Sequence, residues 1–223
     1  MIHSIHRTFL VFCLLVLISS CAHSPLPFVA KGLKRVPGSQ KDNECSSNTS
    51  CLQIFIMYGE FSCAHTALRV QINENKTVFW DPAGGYGIAG SVNAVRVKDL
   101  VISPVPTVSE YLEFRSVIPT EAAEIFEFEI ERRDAEYLYN VLSQSSKESD
   151  PEASYDTQGV GLFCSYHVSE FLEKFAGRVL SVKQVFFPHS LAKQLYTQRP
   201  NRVLVVQFSN GNYDISITAT LKN

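Results

Sequence analysis

The chain has little excess charge: 20 Lys and Arg stand against 22 Asp and Glu in 223 residues. It has no cluster of basic residues, which excludes an electrostatic surface for nucleic acid. Beyond the first twenty residues there is no second long apolar run, so no membrane-spanning helix is expected in the rest. No internal repeat is present, which excludes a repeat array. The Gly-rich stretch "PAGGYGIAG" (82–90) lacks the Lys-Ser/Thr ending of a phosphate-binding loop. It reads instead as a flexible loop near a site. No cofactor and no metal are implied, and a monomer is expected.

What is present begins at the N-terminus. Arg7 precedes an apolar run from Phe9 to Ile18, followed by Ser19, Ser20 and Cys21. Residues 1–20 therefore read as a secretory signal, too short for a comfortable membrane span. The string Ile18-Ser19-Ser20-Cys21 resembles the bacterial lipobox, whose cysteine becomes the lipidated first residue after cleavage. That resemblance implies lipidation at Cys21 and an anchor in a lipid bilayer. Each buried CH₂ of the acyl chains would add about 0.8 kcal/mol of membrane affinity. Ala22 follows the cysteine, and the absence of Asp there favours the periplasmic face of the outer membrane in the bacterial cell envelope. Residues 21–50, rich in Ser, Pro, Lys and Asn from His23 onward, read as the lipidated N-terminus and a tether; residues 51–223 read as one domain. Cys45 and Cys51 flank "SSNTS", a spacing suited to a local disulfide in an oxidising compartment. The alternative is that one of them bonds Cys63; with Cys164 included, three full pairings are open.

"LQIFIMY" (52–58) has strand character, and "AHTALRVQI" (64–72), "NENK" (73–76) and "TVFWD" (77–81) form a hairpin signal. "IFEFEI" (125–130) alternates and reads as a half-buried strand. Helical spacing recurs over 132–144 and again over 164–175, where Val168, Phe171, Leu172 and Phe175 share a face and Gly177 is a plausible stop. "FPHSLAKQLY" (187–196) suggests a proline-led helix. "RVLVVQF" (202–208) and "DISITAT" (214–220) are late strands around the turn "SNGN". Helices interspersed with a mainly antiparallel sheet make the class α+β.

Cys164 opens its helix, where unpaired N–H groups and the helix dipole favour a thiolate. His65 stands at the head of the hairpin's first strand and Asp81 at the end of its second. Within a residue or two of slip the two are cross-strand neighbours. Cysteine, histidine and acid complete an arrangement for thiol-based nucleophilic catalysis. The stretches "AHTALRV", "VFWDPAG", "FCSYHVSEFL" and "FPHSLAKQL", in this order, resemble the circularly permuted papain-like superfamily, which includes NlpC-type peptidases and lecithin retinol acyltransferases. The resemblance covers most of 52–208 and implies a permuted papain-like fold, with an antiparallel sheet packed against a helix that starts at the nucleophile. It makes Cys164 the nucleophile, His65 the base and Asp81 the orienting residue. The implied activity is a membrane-tethered thiol hydrolase or acyltransferase, a cysteine amidase or peptidase among the options. Its substrate would be a peptide or lipid carbonyl.

Two other readings use the same residues. Cys63 with His65, and Cys164 with His167, form C-x-H and C-x-x-H pairs that a zinc ion would suit, although neither has the usual structural-zinc spacing. A lipoprotein that binds a peptide or protein partner without turnover is the other. The lipobox resemblance has its own test, since metabolic labelling with a fatty acid should mark the wild-type chain and leave Cys21→Ser unmarked.

Overall fold

The computed structural model describes residues 35–37, 45, 49–59, 65–88, 94–118, 120–144, 157, 164–209 and 212–219. Its strands are β1 (Arg35–Pro37), β2 (Cys51–Tyr58), β3 (Thr66–Asn73), β4 (Lys76–Trp80), β5 (Val95–Val97), β6 (Leu100–Ser103), β7 (Ala122–Glu129), β8 (Arg202–Ser209) and β9 (Asn212–Ala219). Helix α1 (Val108–Ser116) precedes β7; α2 (Arg132–Gln144), α3 (Cys164–Phe175) and α4 (Pro188–Thr197) lie between β7 and β8. The nine strands form one sheet in the order β1-β9-β8-β7-β2-β3-β4-β6-β5, antiparallel throughout. The class is α+β. No described helix is long and apolar enough to cross a membrane.

β2 shows why the sheet is central to the core. Every residue of it is buried, and its two faces feed different apolar clusters. Leu52, Ile54, Ile56 and Tyr58 pack with Leu138 of α2, Phe171 of α3 and Leu191 of α4. Phe55 and Met57 pack with Tyr111 and Leu112 of α1 on the other face. The period-2 geometry of a strand sends alternate residues to opposite faces, so a strand covered on both reads as a continuous apolar run.

β7 departs from its expected half-buried character for the same reason. It starts at Ala122, is flanked by β2 and β8, and is buried up to its last residue. Two of its three acidic residues, Glu124 and Glu127, meet protein instead of water. Glu124 accepts hydrogen bonds from the Tyr58 hydroxyl at 2.6 Å and from the Tyr196 hydroxyl. Burial pushes its carboxyl up, and the hydrogen bonds from Tyr196 and Tyr58 push it partly back. On the opposite face, Glu127 accepts from Arg202 Nε and Nη2 at 2.8 Å and from Gln53 Nε2 at 2.9 Å. Charge in a buried strand is tolerated when it is paired in this way.

Other expectations shift at their edges. The hairpin turn is tighter than "NENK": Asn73 pairs with Lys76, and the register slips between Gln71 and Asn73. Within the stretch read as a tether, Arg35–Pro37 adds an edge strand beside β9, so the sheet begins before residue 51. Cys45 is buried and disulfide-bonded to Cys51, with a Cα–Cα separation of 6.4 Å. α1 was not anticipated, yet "TVSE" carries its start signal. Glu110 N–H donates to Thr107 Oγ1 at 3.1 Å and Thr107 N–H to Glu110 Oε2 at 2.8 Å, a reciprocal capping box.

α3 is held to the sheet by Phe171, whose ring stands edge-on to Trp80 at 5.7 Å. Trp80 Nε1 donates in turn to the Thr157 carbonyl at 2.8 Å. Truncating Phe171 removes this ring contact between the helix and β4. Phe171→Ala should lower unfolding free energy by about 3–5 kcal/mol in denaturant titration.

Candidate active site

His65 stands one residue ahead of β3, still paired with β2 through Met57 N–H to His65 O at 2.8 Å and His65 N–H to Met57 O at 3.1 Å. On the neighbouring strand, Leu68 pairs with Trp80. One step further sets Asp81 opposite Ala67, two residues from His65 and on the same face of the pleat. That is a diagonal cross-strand relation, within reach of long side chains. His65 Nε2 donates to Asp81 Oδ1 at 2.6 Å.

Cys164 is the first residue of α3, and its helix start is tied to the head of β3. Thr66 Oγ1 and Ser165 Oγ, both buried, share a hydrogen bond of 2.6 Å. The thiol is hydrogen-bonded to the His65 side chain and to the backbone N–H groups of Thr66 and Ser165. With Nε2 engaged by Asp81, Nδ1 is the ring nitrogen left for the sulfur. The structure thus brings the three residues into one hydrogen-bonded line, Cys164 to His65 to Asp81. Cys164 is 5% exposed, His65 8% and Asp81 0%.

The electrostatics follow from this burial and pairing. Burial alone would push the Cys164 thiol up; the His65 imidazolium and the hydrogen bonds from His65, Thr66 and Ser165 bring it below its usual value. Burial alone would push His65 down; the Cys164 thiolate and the Asp81 carboxylate, each also hydrogen-bonded to the ring, raise it to about 9. Burial would push Asp81 up, but His65, Tyr111 and Arg96 hold it well below the usual carboxylate range.

The Gly-rich segment after Asp81 is a built clamp over residues 82–88, which corrects its expected character as a flexible loop. Asp81 Oδ2 accepts from the Tyr86 N–H at 3.1 Å and from Arg96 Nη1 at 3.3 Å; Oδ1 also accepts from the Tyr111 hydroxyl at 2.8 Å. Arg96 Nη2 donates to the Asp81 carbonyl at 3.1 Å and to Asp99 Oδ1 at 2.9 Å, while Nη1 donates to the Tyr86 carbonyl. The chain turns over the carboxylate through Ala83, at a φ of 55°, and its N–H is held by Asp99 Oδ2 at 2.9 Å. At Gly84 a Cβ would lie 2.0 Å from Asp81 Oδ2, so only glycine permits this approach. An aromatic wall closes the clamp on the α1 side: Phe79 and Tyr111 have ring centroids 4.7 Å apart, Tyr86 and Phe114 5.3 Å.

Sequence reasoning missed Tyr111, Arg96 and Tyr86. They lie 30, 15 and 5 residues from Asp81 in the chain and share no motif. The "TVSE" start of α1 was the available signal for Tyr111. Cys63 and Cys21 lie outside the described residues. For the zinc reading, both ring nitrogens of His65 are engaged, by Asp81 and Cys164. His167 lies beside Tyr166, ring centroids 5.7 Å apart. Among the described residues, the His/Cys/Asp/Glu group with metal-like spacing is Cys45, Cys51 and Glu127, with ligand atoms within 4.8 Å. Its sulfurs are bonded to each other, and its carboxylate is occupied by Arg202 and Gln53.

Compared with protein-family models and with curated proteins, the chain has no significant match. Among solved structures it is similar to the crystal structure of a type VI secretion system effector, TseH, with a TM-score of 0.40 and 10% identity, over 77% of this chain and 100% of that one. A likeness of that degree bears on neither fold detail nor activity.

The raised imidazole pKa has a definite sign in stability. Below the free-histidine value of about 6.5 the ring is protonated both folded and unfolded, and its pairing contributes in full. As pH rises through about 9 the folded protein loses that proton too, and the contribution disappears. The thiolate's contribution runs the other way and is lost as pH falls through its lowered pKa. An NMR titration of the His65 ring should therefore show a midpoint near 9 in the wild type and a distinctly lower one in Asp81→Asn.

Proposed function

We propose that this protein is a thiol hydrolase or acyltransferase acting on amide or ester bonds, with Cys164 as nucleophile. The observation that carries the proposal is the continuous Cys164–His65–Asp81 hydrogen-bonded line, with a lowered thiol pKa and a raised imidazole pKa. Such perturbed, paired groups are the signature of an activated nucleophile. In the cycle this supports, the Cys164 thiolate attacks a carbonyl carbon. The backbone N–H of Cys164 at the helix start is suited to the developing oxyanion. The His65 imidazolium gives its proton to the departing amine or alcohol, leaving a thioester on Cys164. Neutral His65 then takes a proton from water or another acceptor, whose attack releases the acyl group and restores the thiolate. Asp81 orients the ring through Nε2 and supports its positive form.

The permuted papain-like arrangement belongs to the same proposal. It is supported by the chain order His65, Asp81, Cys164, by the antiparallel sheet with a helix opened by Cys164, and by the proline-led α4. Tethering through a lipidated Cys21 would set this site at a bacterial membrane surface, within reach of cell-wall peptide or lipid.

The decisive experiment is labelling of the protein by a thiol-reactive acyl probe, with Cys164→Ala as control. Wild type should label and turn over, while Cys164→Ala should do neither. His65→Ala should cost most of the turnover with the thermal melt preserved. The double variant should be little worse than either single one, because members of such a unit fail together. Full turnover in Cys164→Ala would overturn the proposal; stoichiometric binding without turnover in the wild type would favour the non-catalytic partner-binding reading.

A further inference from the structure

α1 buries Val108, Tyr111, Leu112 and Arg115. The spacing is that of an apolar helical stripe, and its fourth position holds a guanidinium. Arg115 is 7% exposed. Among the described residues it donates one hydrogen bond, from Nη2 to the Thr120 hydroxyl at 3.3 Å, and its buried Nε has no partner. Among the described residues no carboxylate lies within ion-pair distance of it. The neighbouring cases differ. Arg96 is paired with Asp81 and Asp99, and Arg202 with Glu127. A guanidinium this buried without an anion is unfavourable, and a ligand that supplies one would remove the deficit.

Its location says which ligand. Tyr111 lies one helical turn before Arg115 on the same face of α1. The Tyr111 hydroxyl donates to Asp81 at 2.8 Å. Thr120, which Arg115 holds, precedes Glu121, whose N–H donates to the Tyr58 carbonyl at 2.8 Å, and Met57, next to Tyr58 on β2, donates its N–H to the His65 carbonyl at 2.8 Å. The unpaired cation therefore lies at the same end of the sheet as His65, one helical turn from the tyrosine that binds Asp81.

We infer that Arg115, with the Thr120 hydroxyl beside it, is a carboxylate subsite of the Cys164 centre, and that the substrate is an acyl donor carrying a free carboxylate near the scissile carbonyl. This rests on the thiol-site reading and narrows it: an acidic peptide fits, an uncharged lipid ester leaves the guanidinium unpaired. The planar fork of arginine matches a carboxylate through two parallel N–H···O bonds, which a lysine cannot reproduce.

The test uses the full chain and reagents differing only in one charge. Iodoacetate, N-iodoacetylglycine and N-iodoacetyl-diglycine are each compared with the corresponding neutral amide, and alkylation of Cys164 is followed by peptide mass spectrometry. The readout is the acid-to-amide rate ratio within each variant, so a general change in thiol reactivity cancels. At the length that spans sulfur to guanidinium, the wild-type ratio should exceed that of Arg115→Gln by about tenfold or more, the range of a charge-assisted hydrogen bond. Arg115→Lys should fall between them, and it carries the comparison if Arg115→Gln does not fold. Equal ratios in wild type and variant at every length would overturn the inference. If Cys164 reacts with no reagent, the thiol-site reading fails separately. The subsite is then read from thermal melts with N-acetylglycine at constant ionic strength: stabilisation of wild type but not of the variant supports it, and equal shifts overturn it.

Discussion

The Asp81 carboxylate is a full negative charge with no exposure to water. A buried charge is tolerated only when its lone pairs are satisfied, and much of the surrounding architecture serves that requirement. β4 ends in it, the 82–88 turn folds over it, and β5 contributes Arg96. α1 contributes Tyr111 from the covering layer. Four donors from four parts of the chain converge on two oxygens. The clamp also determines what His65 is. A carboxylate held well below its usual pKa favours the charged form of the imidazole, and the charged imidazole in turn lowers the pKa of the Cys164 thiol. The state of the sulfur thus depends on residues that never touch it.

The same rule operates at a second place in the sheet. Glu124 sits between two tyrosines on one face of β7, and Glu127 is forked by Arg202 on the other. Both are consequences of a strand buried on both sides. A wide sheet with helices on each face leaves its middle strands no solvent face, so each polar residue there must find a partner across the ladder. These pairs make the strand register specific, because a slip of one residue would turn each acid toward the wrong face.

This explains which parts of the molecule could be read from its sequence. Elements whose signal is local were legible: the hairpin around residues 74 and 75, the amphipathic α2 and α3, the proline-led α4 and the last two strands. His65 and Asp81 were legible as partners because hairpin geometry relates them through a short turn. What was hidden depends on distant partners. The polar residues of β7 look like a solvent face until Tyr58, Tyr196 and Arg202 are in place. The stripe of α1 is broken by Arg115, so its periodicity is weak although its capping box is clear. Arg96 lies on a three-residue strand, too short to show a pattern. The Gly-rich loop was recognised, but its function was not: Gly84 is required by the nearness of Asp81, a constraint no local pattern expresses.

The close pairing at the sulfur has a chemical consequence of its own. Lowering a thiol's pKa increases the fraction present as thiolate but also reduces the nucleophilicity of each thiolate. Here the lowering comes from a neighbouring cation that can leave the pair by giving up its proton. While His65 is charged the sulfur is held, nearly buried, by the imidazolium and the N–H groups of Thr66 and Ser165. In the proposed cycle a leaving group would take the His65 proton, and the ring, now neutral, would be ready to accept one from the incoming water or acceptor. Asp81 would stay ionised through both halves of that cycle, because three further donors besides His65 stabilise it. The clamp therefore does more than hold a tautomer. In the proposed cycle it keeps the acid out of the proton transfers, so that a single residue, His65, alternates between proton donor and acceptor.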